Sequence, residues 1–455
     1  MLKKLEEVTT INNEAMKQLA AASAAFEASC PPSFLAEPNA HALADRALAG
    51  YAAGEATFGG GSFNAAALSI VGAALLTRRK WQKQKRAPRH QLFVNRNTIP
   101  ALQETLLVSL ISDDVKFKES TRMTRQQFDE LVETLRPSME HQRTRIDNVD
   151  VETQVLTSIY HMAHGSSLRS LVPVFRISHA SLHRFYVKTI DAIIKHVAPV
   201  HLKFPTTQQE WQSIADRFYE RWQWPNCVGA IDGKHVRIED HPGAGSLNFN
   251  YKQYHSLLLI AMVDADYRLV MVDIGANGRA GDARVWNTMR FNEMWAINRF
   301  PIPPPACLPG STTTMRHFLI GDGGFPLMDG VMVPYTYTRL GQASDDSYKK
   351  FNKALSRARQ CVECTFALLH ARFGIIRKAL DCDEANAPKI IKAMCSLHNF
   401  IQETGCTDNP NCVAPLPEWG MAAMAEAEWL PGTRTGVAER QRHMLREWVN
   451  SRVAI

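Results

Sequence analysis

Two apolar runs in this chain break off at an aspartate followed by glycine: "CVGAIDG", Cys227 to Gly233, and "HFLIGDGG", His317 to Gly324. A short apolar run bounded in this way reads as a buried strand, and a carboxylate resists full burial. Each aspartate therefore marks a strand end, and two strand ends of one sheet can meet at one edge. A third acid, Glu363, falls on "FNKALSRARQCVECTFALLHARFG". There Leu355, Val362, Phe366, Leu369 and Phe373 step at helical intervals of 7, 4, 3 and 4. That stripe marks a helix packed on a core, with Glu363 beside the packed face. Asp232, Asp322 and Glu363 offer hard oxygen donors, which suit Mg²⁺ or Mn²⁺. Two such ions can activate water and stabilise the leaving oxygen of a phosphodiester. Strand-end aspartates also cap turns, so spacing alone leaves that simpler role open.

With 455 residues the chain exceeds one compact core, and two or three units are expected. Residues 1–92 are rich in Ala, Gly and Ser without sustained periodicity, as a low-complexity, disordered segment would be. They end in "TRRKWQKQKRAPRH", a basic run at 78–89 that reads as a nuclear-import signal, a nucleic-acid arm or a solvated linker. The longest apolar stretch, Ala65 to Leu76, is too short to span a bilayer. No secretory leader is evident at the N-terminus, so the nine cysteines point to a reduced intracellular compartment. A formal charge of +7 permits a polyanionic partner.

Residues 93–205 carry a helical pattern. Thr124 caps a helix bearing Phe128, Leu131 and Leu135, expected to stop at Pro137. A second helix from Val151 ends at Gly165. Next come a helix, a turn near Arg176 and Ile177, and a Ser178-capped helix with Leu182, Phe185, Ile190 and Ile194 on one side. This is a helix-turn-helix layout, with Arg184 and Lys188 available to DNA, although plain packing of two short helices is the more ordinary explanation of such a pattern. From 206 to 405 strands and helices alternate, including a hairpin turning at Asp264–Ala265–Asp266. "FPIPPPACLPGSTTT" excludes regular structure by its prolines. Residues 406–455 read as a tail with surface helices. Cys361 and Cys364 sit within a helix without a second pair at zinc spacing, and read as buried packing residues. His398 and Asn399 read as a satisfied polar pair beneath the sheet.

Taken in order, "RMTRQQFDELVETLRP", "GSSLRSLVPVFRISHASLHRFY", "VGAIDGKHVRI", "DIGANGRAGDARVW", "LIGDGGFPL", "SRARQCVECTFALLHARFGII" and "MCSLHNFI" give the chain its family character. From about 120 to 402 it resembles the PIF/Harbinger transposases and Harbinger-derived nucleases of the DDE superfamily. The resemblance implies an α/β fold: an RNase H-like mixed β-sheet flanked by helices, preceded by an all-α helix-turn-helix region. It also implies a metal-binding catalytic triad of Asp232, Asp322 and Glu363, cutting DNA with Mg²⁺ or Mn²⁺. Lys234, Arg237, Arg279, Arg357 and Arg359 would then steer the phosphate backbone. Relatives are expected to act with a separate Myb/SANT-like DNA-binding protein, and a homo-oligomer is expected here. The basic run at 78–89 points to the nucleus, with the cytoplasm as the alternative. Two departures stand out: Lys234 replaces the usual Thr, and "GRAGD" adds Arg279. A catalytically silent descendant that keeps the fold as a DNA-binding adaptor is the alternative. Asp282, in a Gly-flanked turn entering a helix, reads as an N-cap rather than a triad member.

Overall fold

The computed structural model describes residues 113–140, 149–240, 248–336, 346–383, 385–404 and 436–451. The segment 1–92, with its basic run, lies outside them, as does most of the stretch following residue 404. At the centre stands β1 (Cys227–Arg237), whose first five residues are buried and whose next four, Asp232 to His235, are half-buried. β2 (Ser256–Val263), buried along its whole length, pairs with it antiparallel, and β3 (Leu269–Asn277) pairs antiparallel with β2. Asp264 shapes the expected turn between them, its carboxylate accepting from the N–H groups of Asp266 (2.8 Å) and Arg268 (2.9 Å). On its other side β1 is flanked by two short parallel strands, β4 (Phe318–Ile320) and β5 (Val331–Met332). The result is a mixed five-stranded sheet in the order β3-β2-β1-β4-β5.

Side chains alternate across β1 on either side of an irregularity between Cys227 and Gly229, so Cys227, Ala230 and Val236 enter one buried cluster while Val228 and Ile231 enter another. The helices ahead of the sheet begin with α1 (Asp114–Thr121), α2 (Arg125–Met139), α3 (Val151–His164), α4 (Leu168–Phe175) and α5 (His179–His196). Next in the chain are α6 (Gln208–Trp222), then α7 (Asp282–Thr288) and α8 (Arg290–Ala296), and after the sheet α9 (Ser347–Arg372) and α10 (Ala387–Thr404). Leu131, Val155 and Ile193 of the N-terminal helices share one core with Leu259 of β2 and Leu397 of α10. The change of pattern near residue 205 is therefore no break in packing. The second face of the sheet carries Trp211, Trp286 and Trp295 from α6, α7 and α8.

The caps explain the helix boundaries. Thr124 opens α2 through a capping box with Gln127, Asp150 caps α3, and Ser178 caps α5. α2 runs two residues past Pro137, contrary to the expected stop, and Glu140 N–H closes it on the Arg136 carbonyl (2.9 Å). The Pro-rich loop also holds a two-residue ladder, Ala306–Cys307 with Thr314–Met315, formed beyond its run of prolines. A last helix, α11 (Gly436–Ser451), belongs to the body of the protein rather than to a loose tail. It buries Leu445 and Trp448, and the Trp448 Nε1 donates to the Pro309 carbonyl (2.9 Å).

Gly165 ends α3 with φ of +63°, and a Cβ there would lie 2.5 Å from the Gly374 carbonyl oxygen. Left-handed backbone costs a non-glycine residue about 1–2 kcal/mol before any clash. Gly165→Ala should therefore lower the urea midpoint by at least that equivalent. An unchanged midpoint would mean the two backbones can part without cost.

Candidate active site

Strand register brings the first two acids together. Ala230 faces Ile320 in the parallel β1–β4 ladder, so two residues further on Asp232 and Asp322 lie side by side where β4 ends. Contrary to expectation Asp232 does not end its own strand, because pairing with β2 carries β1 on to Arg237. The Asp232 carboxylate accepts from Gly233 N–H (2.9 Å), and that of Asp322 accepts from Gly324 N–H (3.0 Å). Each acid is thus oriented by the glycine backbone that follows it.

Asp282 joins them, and its expected capping role fails. Gly281 is the N-cap of α7, with no side-chain capping bond, and Asp282 is the first helical residue. The Asp282 carboxylate lies directly over Gly233, where an added Cβ would come within 2.3 Å of its Oδ1. Glycine at 233 is what admits this acid to the edge. Burial, then the charge of Asp322, pushes the Asp282 carboxyl up to about 6, against the pull of Lys252. Burial and the charges of Asp322 and Asp282 push Asp232 up to about 7, with Arg359 opposing.

Glu363 is half-buried on α9 and bound to a cation of its own helix. Arg359, one turn earlier, has one guanidinium nitrogen 2.5 Å from Glu363 and another 3.6 Å from Asp232. This arginine is only 12% exposed, so it bridges the two acids as an internal counter-charge. Among the described residues no three His, Cys, Asp or Glu side chains are gathered as a ready metal site. The donor chemistry nevertheless fits a hard divalent ion: the carboxylates at this edge repel one another, with burial adding to the cost.

The basic residues divide. Lys234 is half-buried with its Nζ 5.5 Å from the Phe366 ring centroid, and burial lowers its pKa against the pull of Asp232. Arg237, Arg279 and Arg357 are exposed or half-exposed, Arg237 lying over the Tyr254 ring at 5.4 Å. Far from the acids, Arg176 turns in left-handed backbone between α4 and α5. Arg184 is exposed on α5, whereas Lys188 donates to the Met139 carbonyl (2.9 Å) and ties α5 to α2. Cys361 and Cys364 are buried, as expected. The polar pair under the sheet is satisfied: His398 Nε2 pairs with the Tyr267 carbonyl (2.8 Å), and Asn399 bonds both backbone groups of Leu269.

Residues 231–399, which include all four of these acids, match the family described as DDE superfamily endonuclease. The similarity to that family is confined to this domain, which makes up less than half of the chain. It is similar to a rat protein named "Putative nuclease HARBI1", 27% identical over 279 residues, spanning 60% of this chain and 74% of the relative. The human protein of that name is 26% identical over the same length and shares. An Arabidopsis thaliana "Protein ALP1-like" is 25% identical over 261 residues, 56% of this chain and 61% of its own. No solved structure matches the chain.

Proposed function

We propose that this protein is a divalent-metal-dependent DNA endonuclease of the Harbinger type, with Asp232, Asp322 and Glu363 as its metal-holding acids. The observation that carries the reading is the meeting of Asp232, midway along β1, with Asp322, just past the end of the neighbouring β4. Support also comes from the strand order, with β2 antiparallel to β1 and β4 and β5 parallel to it, as in an RNase H-like sheet.

A divalent ion, when bound, would supply the positive charge and activated water that phosphodiester hydrolysis needs. Asp232 and Asp322 would hold it from the sheet edge, and Glu363 from α9 after releasing Arg359. Arg359 would then meet a phosphate oxygen, with Lys234 adding positive potential close to the acids. Arg237, Arg279 and Arg357 would steer the backbone, and Arg184 would do so on a helix-turn-helix formed by α4 and α5. Lys188, tied to Met139, serves packing in this reading. A nuclear location, self-assembly and a Myb/SANT-like partner complete the proposal, resting on the family resemblance and the basic run at 78–89. A silent DNA-binding descendant is the second reading. Its support is Arg359, which already bridges Asp232 and Glu363.

Metal dependence separates the readings. Supercoiled plasmid should be cut with Mg²⁺ or Mn²⁺, and remain intact with Ca²⁺ or chelator, because the looser coordination of Ca²⁺ suits the reaction poorly. Cleavage in chelator would overturn the metal mechanism, and DNA retention without cleavage in any metal would favour the silent descendant.

A further inference from the structure

Next to the acids, the loop entering β2 holds an aromatic side chain in water. Tyr251 is 79% exposed and Phe249 43%. A tyrosine that far out of a core contributes little to folding, yet the backbone beneath it is firmly built. Asn250, 3% exposed, accepts from Lys252 N–H (2.9 Å) and Tyr254 N–H (3.3 Å), and its amide donates to Ser256 Oγ (2.8 Å). Its own N–H donates to the Tyr254 carbonyl (3.0 Å). The loop therefore presents Tyr251 on a fixed turn.

The position of that turn ties it to the site. His235 lies two residues beyond Gly233 on β1, hence on the same face of the strand and about 7 Å along it. Asp282 sits over Gly233, and the ring of Tyr251 is 5.7 Å from that of His235. The Lys252 ammonium stands 5.4 Å from the Tyr251 ring centroid and is close enough to act on Asp282. Arg237, exposed at the end of β1, adds a further cation. A protruding aromatic among cations, beside acids suited to phosphodiester chemistry, is what single-stranded nucleic acid uses as a stacking platform. At about 3.4 Å per stacked nucleotide, a base within roughly four nucleotides of a phosphate at the acids can reach it.

We propose that Tyr251 stacks against an unpaired DNA base a few nucleotides from the cleavage point, with Lys252 holding the adjoining phosphate, so that the enzyme prefers DNA with a single-stranded arm. This rests on the endonuclease reading above and specifies its substrate.

The test uses the full chain in metal-free buffer, with a fully paired duplex and a forked duplex carrying 2-aminopurine in its unpaired arm. Wild type and Tyr251→Phe should bind the fork tightly and quench the 2-aminopurine fluorescence. Tyr251→Ala should lose the quenching and bind the fork about tenfold more weakly, while its affinity for the paired duplex changes less than twofold. Melting temperatures are compared first, and high exposure of the side chain predicts that they agree. Wild-type quenching retained by Tyr251→Ala would overturn the proposal, as would an equal loss of affinity for both DNAs. Failure of the wild type to bind either DNA would instead sink the nuclease reading on which it rests.

Discussion

Asp322→Asn is expected to lower DNA cleavage by at least about 10²–10³-fold, the scale of losing one group that stabilises transition-state charge, while leaving folding and DNA retention intact. Asparagine keeps an oxygen to accept from Gly324 N–H, so the turn after β4 retains its bond and only the charge is lost. Asp282→Asn provides the contrast. Asp282 caps nothing, so removing its charge should not cost the stability that a lost cap would, and α7 should stay folded. In the triad proposed here its effect on cleavage is the smaller of the two. Equal loss in both variants would place Asp282 among the metal-holding acids.

Asp232→Asn should stabilise the metal-free protein at neutral and higher pH by about 1–3 kcal/mol, because each tenfold change in proton affinity on folding is worth about 1.36 kcal/mol. The Asp232 carboxyl is raised to about 7 by burial and by Asp322 and Asp282, whereas its ordinary value is 3.8. Between those values the folded protein binds more protons than the unfolded chain, so stability falls as pH rises from about 4 to about 7. The asparagine variant escapes that loss. Its advantage should be near zero at pH 4, grow through pH 5–7 and level off above. Thermal melts of both proteins in chelator across that range check it. A variant less stable than wild type at pH 8 would mean the Arg359 bridge outweighs the repulsion.

The same acids explain what the sequence makes visible and what it hides. β1 and the strand before Asp322 are legible from their apolar runs, but the carboxylate is a true strand end only at Asp322; β1 continues to Arg237 because β2 supplies a partner for its half-buried residues. α9 is legible because Leu355, Val362, Phe366, Leu369 and Phe373 mark one face, and all five are buried. Asp282 is misread because an acid at the start of a helix looks the same whether it caps the helix or leans on a distant strand. Only the contact with Gly233, 49 positions earlier, distinguishes the two, and that contact is tertiary. The Arg359–Glu363 spacing of four residues is visible in the sequence as a helical ion pair, but its extension to Asp232 is not. Likewise α11 shows its amphipathic pattern locally, whereas the Pro309 carbonyl that receives Trp448 lies in a loop 139 residues away.

The most direct measurement is the conversion of supercoiled plasmid to nicked and linear forms by wild type and Asp322→Asn, purified side by side and assayed with Mn²⁺ and with chelator. The acid-edge mechanism predicts product from the wild type with Mn²⁺ alone. Cleavage by Asp322→Asn at the wild-type rate, or by wild type in chelator, would contradict it.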